Sequence, residues 1–142
     1  MGVTVTGLLL ELLLGSLLTR GHVRRQAEER SRRFAEGTEV GFAACVLGER
    51  PYCRNTTLVF LWAAPTTLHL TPTEFPELHR GPVPTDRMEL IAIRPRERTD
   101  PRLVQHGWKV AEVRDGGADV LIGCDPAAME LLAAVIGGPR SP

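Results

Sequence analysis

The sequence predicts a mainly β protein with a helix at each end. Three observations indicate this fold class. The first is a strongly apolar stretch over residues 2–19. The second is a series of segments between residues 38 and 124 in which apolar and polar residues alternate, as they do in β-strands. The third is the final segment, residues 126–136, in which apolar residues recur at helical spacing.

The apolar stretch contains a single ionisable side chain, that of Glu11. Its length of about eighteen residues is near the lower limit for spanning the roughly 30 Å hydrocarbon core of a bilayer. We therefore expect a transmembrane helix over residues 1–20. Small and polar residues fall on one narrow face of that helix, which is typical of packing between membrane helices and predicts a partner helix or self-association. These residues are Thr4, Gly7, Glu11 and Gly15.

A helix buried within a soluble domain or in a homodimer is the alternative interpretation of the same stretch. A cleaved signal peptide would need a basic N-terminal region and a small-residue cleavage site, and the sequence has neither. Arg20, Arg24 and Arg25 follow the stretch directly. By the positive-inside rule they predict a single-pass protein of the inner membrane, with its N-terminus outside and the remainder in the cytoplasm.

Residues 21–37 form a predicted arginine-rich helical connector that ends at Gly37. Two Glu–Arg pairs have the favourable spacing of four residues: Glu28 with Arg32, and Glu29 with Arg33. Arginines beside an apolar segment also form an electrostatic patch for anionic lipid headgroups. The candidate lipid- or partner-binding residues of the connector are Arg24, Arg25, Arg32 and Arg33.

Six strands are predicted in the folded part, residues 38–138. They cover residues 39–47, 57–64, 66–73, 88–95, 108–114 and 119–124. Ala64-Pro65 predicts a turn between the second and third strands. Asp115-Gly116-Gly117 predicts a hairpin between the last two, because glycine accepts the positive φ that such turns require.

The last strand leads into a predicted helix with Asp125 as N-cap, Pro126 in the first turn and Gly137 as stop. Its apolar stripe, which must pack on the sheet, consists of Met129, Leu132, Ala133 and Ile136. The side chains predicted to fill the interior are Phe60, Trp62, Leu68, Leu70, Trp108 and Val110. Alternation places His69 on the opposite, solvated face.

Composition and motifs argue against several functional classes. Seventeen basic residues balance seventeen acidic ones, and aromatics do not interleave with the arginines, so nucleic-acid binding is not expected. The sequence has no Gly-rich phosphate loop, no nucleophile motif and no cluster with metal-ligand spacing. We therefore expect neither an enzyme nor a cofactor or metal.

The three cysteines are an odd number without CxxC spacing, which fits a reducing cytoplasm. If the domain were exported, a bridge between Cys45 and Cys53 could close a hairpin. If the protein were an enzyme, Cys45 or Cys53 with His69 would be the candidate pair. We instead expect Cys45 to be packed and Cys53 to lie in an exposed loop.

A second arginine cluster lies in the segment "RPRERTDPR". A solvated loop is the simpler interpretation. As a functional surface it would face the inner leaflet or an acidic protein partner. Its candidate binding residues are Arg94, Arg96 and Arg98.

The order of these segments resembles the pleckstrin-homology-like fold, including its GRAM-type bacterial relatives. "TTLVFLWAAPTTLHLTP" is similar to the paired strands of such domains, and "VPTDRMELIAIRPRE" to the strand that follows. "GWKVAEVRDGGADVLIGCDPAAMELLAAVIG" is similar to their final hairpin and helix. The whole chain resembles an uncharacterised actinobacterial family of short single-pass membrane proteins bearing such a domain.

The resemblance implies a bent β-barrel whose open end is capped by the C-terminal helix, and a binding rather than a catalytic role. In the family the headgroup site, where present, lies in the loop between the first two strands. The matching residues are Arg50 and Arg54. We accordingly expect a membrane-anchored adaptor or accessory subunit whose cytoplasmic domain binds a protein or an anionic lipid.

Overall fold

A computed structural model describes residue 21 and residues 24–53, 57–72 and 81–137. The described residues form one antiparallel sheet of seven strands and two α-helices, which confirms the mainly β prediction. Helix α1 covers residues 24–35 and helix α2 covers Pro126–Ile136. The strands are β1 Val40–Leu47, β2 Thr57–Ala64, β3 Thr67–Thr71, β4 Gly81–Pro82, β5 Met88–Pro95, β6 Lys109–Asp115 and β7 Ala118–Cys124.

Helix α1 ends where the sequence predicted. Gly37 adopts a left-handed φ of 89°, and its N–H donates to the carbonyl of Phe34 at 2.9 Å. The N–H of Thr38 donates to the carbonyl of Arg33 at 2.8 Å. These two bonds satisfy the last carbonyls of the helix. The ring of Phe34 packs against the core and so joins α1 to the sheet.

The first and last strands lie side by side in the middle of the sheet. The strand order is β4-β3-β2-β1-β7-β6-β5, and Cys45 of β1 lies opposite Gly123 of β7. Strands β1 to β4 therefore form one run of antiparallel neighbours and β5 to β7 a second, and the β1–β7 pairing connects the two runs.

Both predicted turns are confirmed. Strand β2 ends at Ala64 and β3 begins at Thr67, which leaves a two-residue turn. Gly116 and Gly117, with φ of 59° and 94°, connect β6 to β7. Positive φ at both central positions is the pattern of a type I′ hairpin, whose twist matches that of the strands.

The predicted third strand is shorter than expected, and a strand was missed. Strand β3 ends at Thr71. Strand β4 has two residues, Gly81 opposite Leu70 and Pro82 opposite His69. Two residues cannot show a period-two pattern, and a proline without an N–H argues against a strand. Strand β4 therefore has no signal in the sequence.

Helix α2 covers the inner face of the sheet, as its apolar stripe predicts. The side chain of Asp125 caps it by accepting from the N–H of Ala128 at 2.9 Å, and Pro126 occupies the first turn. Met129, Leu132 and Ile136 are buried in the core, and Ala133 is partly buried. The prediction for this helix is confirmed.

Four of the six predicted interior residues do not lie in the main core. Leu68 and Leu70 are buried there. Phe60, Trp62 and Trp108 are partly exposed, and Val110 is buried in a separate cluster. In β2, Val59, Leu61 and Ala63 face the core instead. Every residue from Leu58 to Ala64 is apolar, so alternation does not choose which set points inward. The prediction assigned the large aromatic side chains of Phe60 and Trp62 to the inward face of β2, and that assignment is wrong.

Trp62 packs on the outer face of the sheet against a glycine. Its ring lies over Gly41, where an added Cβ would come within 2.5 Å of a ring carbon. Its indole N–H donates to the hydroxyl of Thr71 at 2.9 Å. The hydrogen bond fixes the ring in this position, so the strand needs glycine at residue 41.

Candidate functional site

A groove of about 970 Å³ lies between α1 and the first turn of α2. We call it the α1–α2 groove. Helix α1 contributes Arg25, Glu29, Arg30 and Arg33 to its lining, β1 contributes Gly41, and α2 with its cap contributes Asp125, Pro126 and Ala127. The connector, predicted as a charged helix, therefore provides one wall of a cleft against the folded domain.

The two carboxylates of the groove are already engaged. Nη2 of Arg30 lies 3.5 Å from Oδ1 of Asp125, the oxygen that also caps α2. Glu29 is bound by Arg32, with Nη2 and Oε1 2.6 Å apart. The spacing of four residues predicted Glu28 as the partner of Arg32. In the structure Arg32 instead pairs with Glu29, three positions before it.

Arg25 and Arg33 are the exposed cations of the groove. Among the described residues neither is in an ion pair, whereas Arg30 and Arg32 each hold an acid. Arg24, also predicted as a binding residue, is exposed on the same helix. The groove thus presents unpaired positive charge to a ligand, and it brings together two of the four arginines predicted in the connector.

Arg50 does not lie free in the loop after β1. Its Nε donates to Oδ2 of Asp115 at 3.0 Å, and the hydroxyl of Tyr52 donates to the same oxygen at 2.9 Å. Nη2 of Arg87 lies 3.5 Å from Oδ1, which receives no hydrogen bond from the described residues. We call Arg50, Tyr52, Arg87 and Asp115 the Asp115 cluster.

The Asp115 cluster joins three parts of the fold. Asp115 at the end of β6 is fully buried, and its partners come from the loop after β1 and from the turn Thr85–Arg87. Burial, with the hydrogen bond to Asp115, raises the pKa of Tyr52, so its hydroxyl stays protonated and continues to donate. Arg50 therefore holds the loop in place. Arg54, the second residue that the resemblance implied, lies outside the described residues.

The second arginine cluster is solvated only in part, with Arg98 and Arg102 exposed and Arg94 and Arg96 bound to the domain. Nη1 and Nη2 of Arg94 donate to the two carboxylate oxygens of Asp100 at 2.8 and 2.9 Å, and Nε lies 3.2 Å from Glu112. Nε of Arg96 donates to the carbonyl of Val104 at 2.6 Å. These bonds fold the segment back onto the sheet. Of the three predicted binding residues, Arg98 alone is exposed.

The segment after β5, residues 96–104, covers a second hydrophobic cluster on the outer face of the sheet. Val104 is fully buried there with Cys45 and Val110, and partly buried side chains surround them. These are Leu47, Trp108 and Leu121. Trp108, expected in the main interior, covers this second cluster instead.

Asp100→Asn is expected to change how stability depends on pH. The hydrogen bonds from Arg94 hold the pKa of Asp100 at about 2, below its ordinary value of 3.8. The ionised carboxylate therefore stabilises the fold above pH 4, and this contribution is lost as pH falls through 2. In urea unfolding, the stability gap between wild type and Asp100→Asn should be constant above about pH 5 and narrow below pH 4. A gap independent of pH would contradict this account.

Two of the cysteines have an environment unlike that of a nucleophile. None of the three forms a disulfide, and all three are buried. Burial raises the pKa of Cys45 to about 11 and that of Cys124 to about 12. At neutral pH these thiols are protonated, the opposite of an activated cysteine. Cys45 is packed as expected, and the alternative Cys45–Cys53 bridge is not formed.

The prediction of an exposed Cys53 is wrong. Paired backbone hydrogen bonds of 2.8 and 3.0 Å between Arg50 and Cys53 turn the loop inward, and Cys53 joins the core. His69 lies opposite the core, as predicted, but is partly buried, with Nδ1 3.6 Å from Oε2 of Glu39. Among the described residues, no His, Cys, Asp and Glu side chains are grouped to hold a metal ion.

The predicted membrane helix, residues 1–20, with its packing face of Thr4, Gly7, Glu11 and Gly15, lies outside the described residues. None of the described helices combines the length and the apolar character needed to cross a bilayer.

Sequence reasoning missed several residues of these sites. Arg30 and Asp125 are distant in sequence, and Asp115 reads as an ordinary turn residue beside two glycines. No local signal marks them, because their roles depend on contacts between segments far apart in the chain. Neither protein-family models nor curated proteins give a significant match to the sequence.

Proposed function

We propose that the chain is a membrane-anchored, non-catalytic binding module. Its N-terminal apolar stretch crosses the inner membrane once, with the N-terminus outside. The β domain lies in the cytoplasm, where it acts as an adaptor or accessory subunit that binds a protein or an anionic lipid. The observation that carries this proposal is the α1–α2 groove. Its Arg25 and Arg33 are in no ion pair with a described residue, and they lie shortly after the apolar stretch.

The packing of α1 supports the role of the groove. Phe34 packs on the core at one end of the helix, and Arg30 reaches Asp125 at the start of α2. The helix that follows the apolar stretch is therefore attached to the sheet rather than separate from it. Anchoring the chain in a bilayer would therefore hold both the arginines of α1 and the β domain near the lipid headgroups.

The proposed fold is a pleckstrin-homology-like bent barrel. Two features support it, namely the two runs of antiparallel strands joined through β1 and β7 and the C-terminal helix packed on the inner face. Such domains bind lipid headgroups or proteins. Because a fold alone does not determine function, the proposal depends on the groove. The raised pKa of two buried thiols supports a non-catalytic role.

Protease access tests the proposed orientation. An epitope tag after Pro142 should survive protease treatment of intact spheroplasts and be removed from inverted membrane vesicles. The physical reason is the arginine excess after the apolar stretch, which retains that side in the cytoplasm. Permeabilised spheroplasts serve as the control for cleavability. Loss of the tag from intact spheroplasts would contradict the proposed orientation.

A further inference from the structure

We propose that the α1–α2 groove binds the phosphate group of an anionic lipid headgroup, with Arg25 and Arg33 as its ligands. The inference rests on the proposed membrane anchoring and names the ligand class of the same site. It places the lipid site beside α1, whereas the resemblance placed it in the loop after β1, where Arg50 is occupied by Asp115.

The charges of the groove favour an anion. Arg25, Arg30 and Arg33 line it together with two acids, Glu29 and Asp125. Asp125 is paired with Arg30 and caps α2, and Glu29 is paired with Arg32, which lies outside the lining. Each acid is therefore compensated. Within the part of the chain that the structure describes, no acid pairs with Arg25 or Arg33, and we assign their guanidinium groups to the ligand.

Arg25 and Arg33 lie on the same helix and line the same groove. Arg33 follows Arg25 by eight positions, a rise of about 12 Å along α1, so the two long side chains would meet a phosphate that lies between them. A guanidinium donates paired hydrogen bonds to phosphate oxygens, and these charge-assisted bonds are the stronger kind. Gly41 and Pro126, in the lining opposite α1, bring no charge that would repel an anion.

The position in the chain favours a lipid over a soluble phosphate. Arg25 follows Thr19, the last residue of the apolar stretch, by six residues, which span at most about 20 Å even when extended. If the stretch crosses the bilayer, Arg25 is therefore tethered within about 20 Å of the headgroups. An anionic surface attracts arginines near it, whereas a soluble phosphate is not confined to that surface.

Calorimetric titration of the full chain in neutral detergent micelles tests the proposal. Short-chain phosphatidic acid should bind, and the zwitterionic phosphatidylcholine of the same chain length should not. Arg25→Gln/Arg33→Gln should weaken binding at least about tenfold, since it removes two charge-assisted partners. The matched control is Lys109→Gln/Arg114→Gln, which removes two exposed cations of β6 and should bind as wild type does.

Three results would overturn the proposal. They are equal binding by the Arg25/Arg33 variant and wild type, equal binding of both lipids, and binding of inorganic phosphate as tight as that of phosphatidic acid. The last would assign the groove to a soluble ligand. Circular dichroism checks that each variant is folded. The titration does not require the apolar stretch to span a bilayer, so its failure is distinguishable from failure of the anchoring proposal.

Discussion

Asp115→Ala is expected to lower the free energy of unfolding by about 3 kcal/mol, because it removes one partner of a buried ion pair. Asp115 is fully buried, and it accepts hydrogen bonds from Arg50 and Tyr52. Without it, the guanidinium and the hydroxyl keep their places in the fold but lose their acceptor. Arg50 is partly exposed, so water compensates some of the loss, which places the expected value at the lower end of the range for such pairs.

Urea unfolding of the full chain in micelles, followed by circular dichroism, measures this loss. The matched control is Asp119→Ala in the same hairpin, where the side chain is 84% exposed and lies 3.7 Å from Arg114. An exposed pair of this kind contributes little, so the control should unfold with the wild type. Equal midpoints for Asp115→Ala and Asp119→Ala would show that the Asp115 cluster does not stabilise the fold.

The parts of the fold that depend on neighbouring residues could be predicted from the sequence. Gly37 ends α1, Gly116 and Gly117 form the hairpin turn, and Asp125 caps α2. Each role follows from backbone geometry within a few residues. Five of the six predicted strands also lie where alternation placed them, to within a residue or so.

The parts that depend on distant contacts could not be predicted. The pairing of β1 with β7 joins residues more than seventy positions apart and leaves no periodic signal. The inward face of β2 was misassigned because its apolar run supports both choices. The fold-back of the segment after β5 needs the Arg94–Asp100 pair, which in sequence looks like any mixed-charge loop.

In the candidate site, too, the features that depend on local sequence could be predicted and those that depend on distant contacts could not. The arginines of α1 could be predicted as a basic patch from composition alone. Two of these arginines are in ion pairs that the sequence does not indicate. Arg30 pairs with Asp125, which is far along the chain, and Arg32 pairs with Glu29. Sequence reasoning therefore indicated the helix that carries the groove, and the packing of α1 against α2 distinguishes Arg25 and Arg33 from Arg30 and Arg32.

Leu9→Arg/Leu13→Arg is expected to abolish membrane retention. On an insertion scale, ten favourable residues of the stretch at about 0.3 to 0.6 kcal/mol each roughly balance the cost of Glu11. Each central arginine adds about 2.5 to 3.5 kcal/mol. The pair therefore makes insertion clearly unfavourable. Leu9→Ile/Leu13→Ile keeps the apolar character and should be retained, which makes it the matched control.

Carbonate extraction of membranes containing the full-length chain tests the central claim most directly. The wild type should stay in the pellet through carbonate and enter solution only with detergent, while Leu9→Arg/Leu13→Arg appears in the soluble fraction. Release of the wild-type chain by carbonate would contradict membrane anchoring. It would assign the leucines to a helix buried within the domain or in a homodimer.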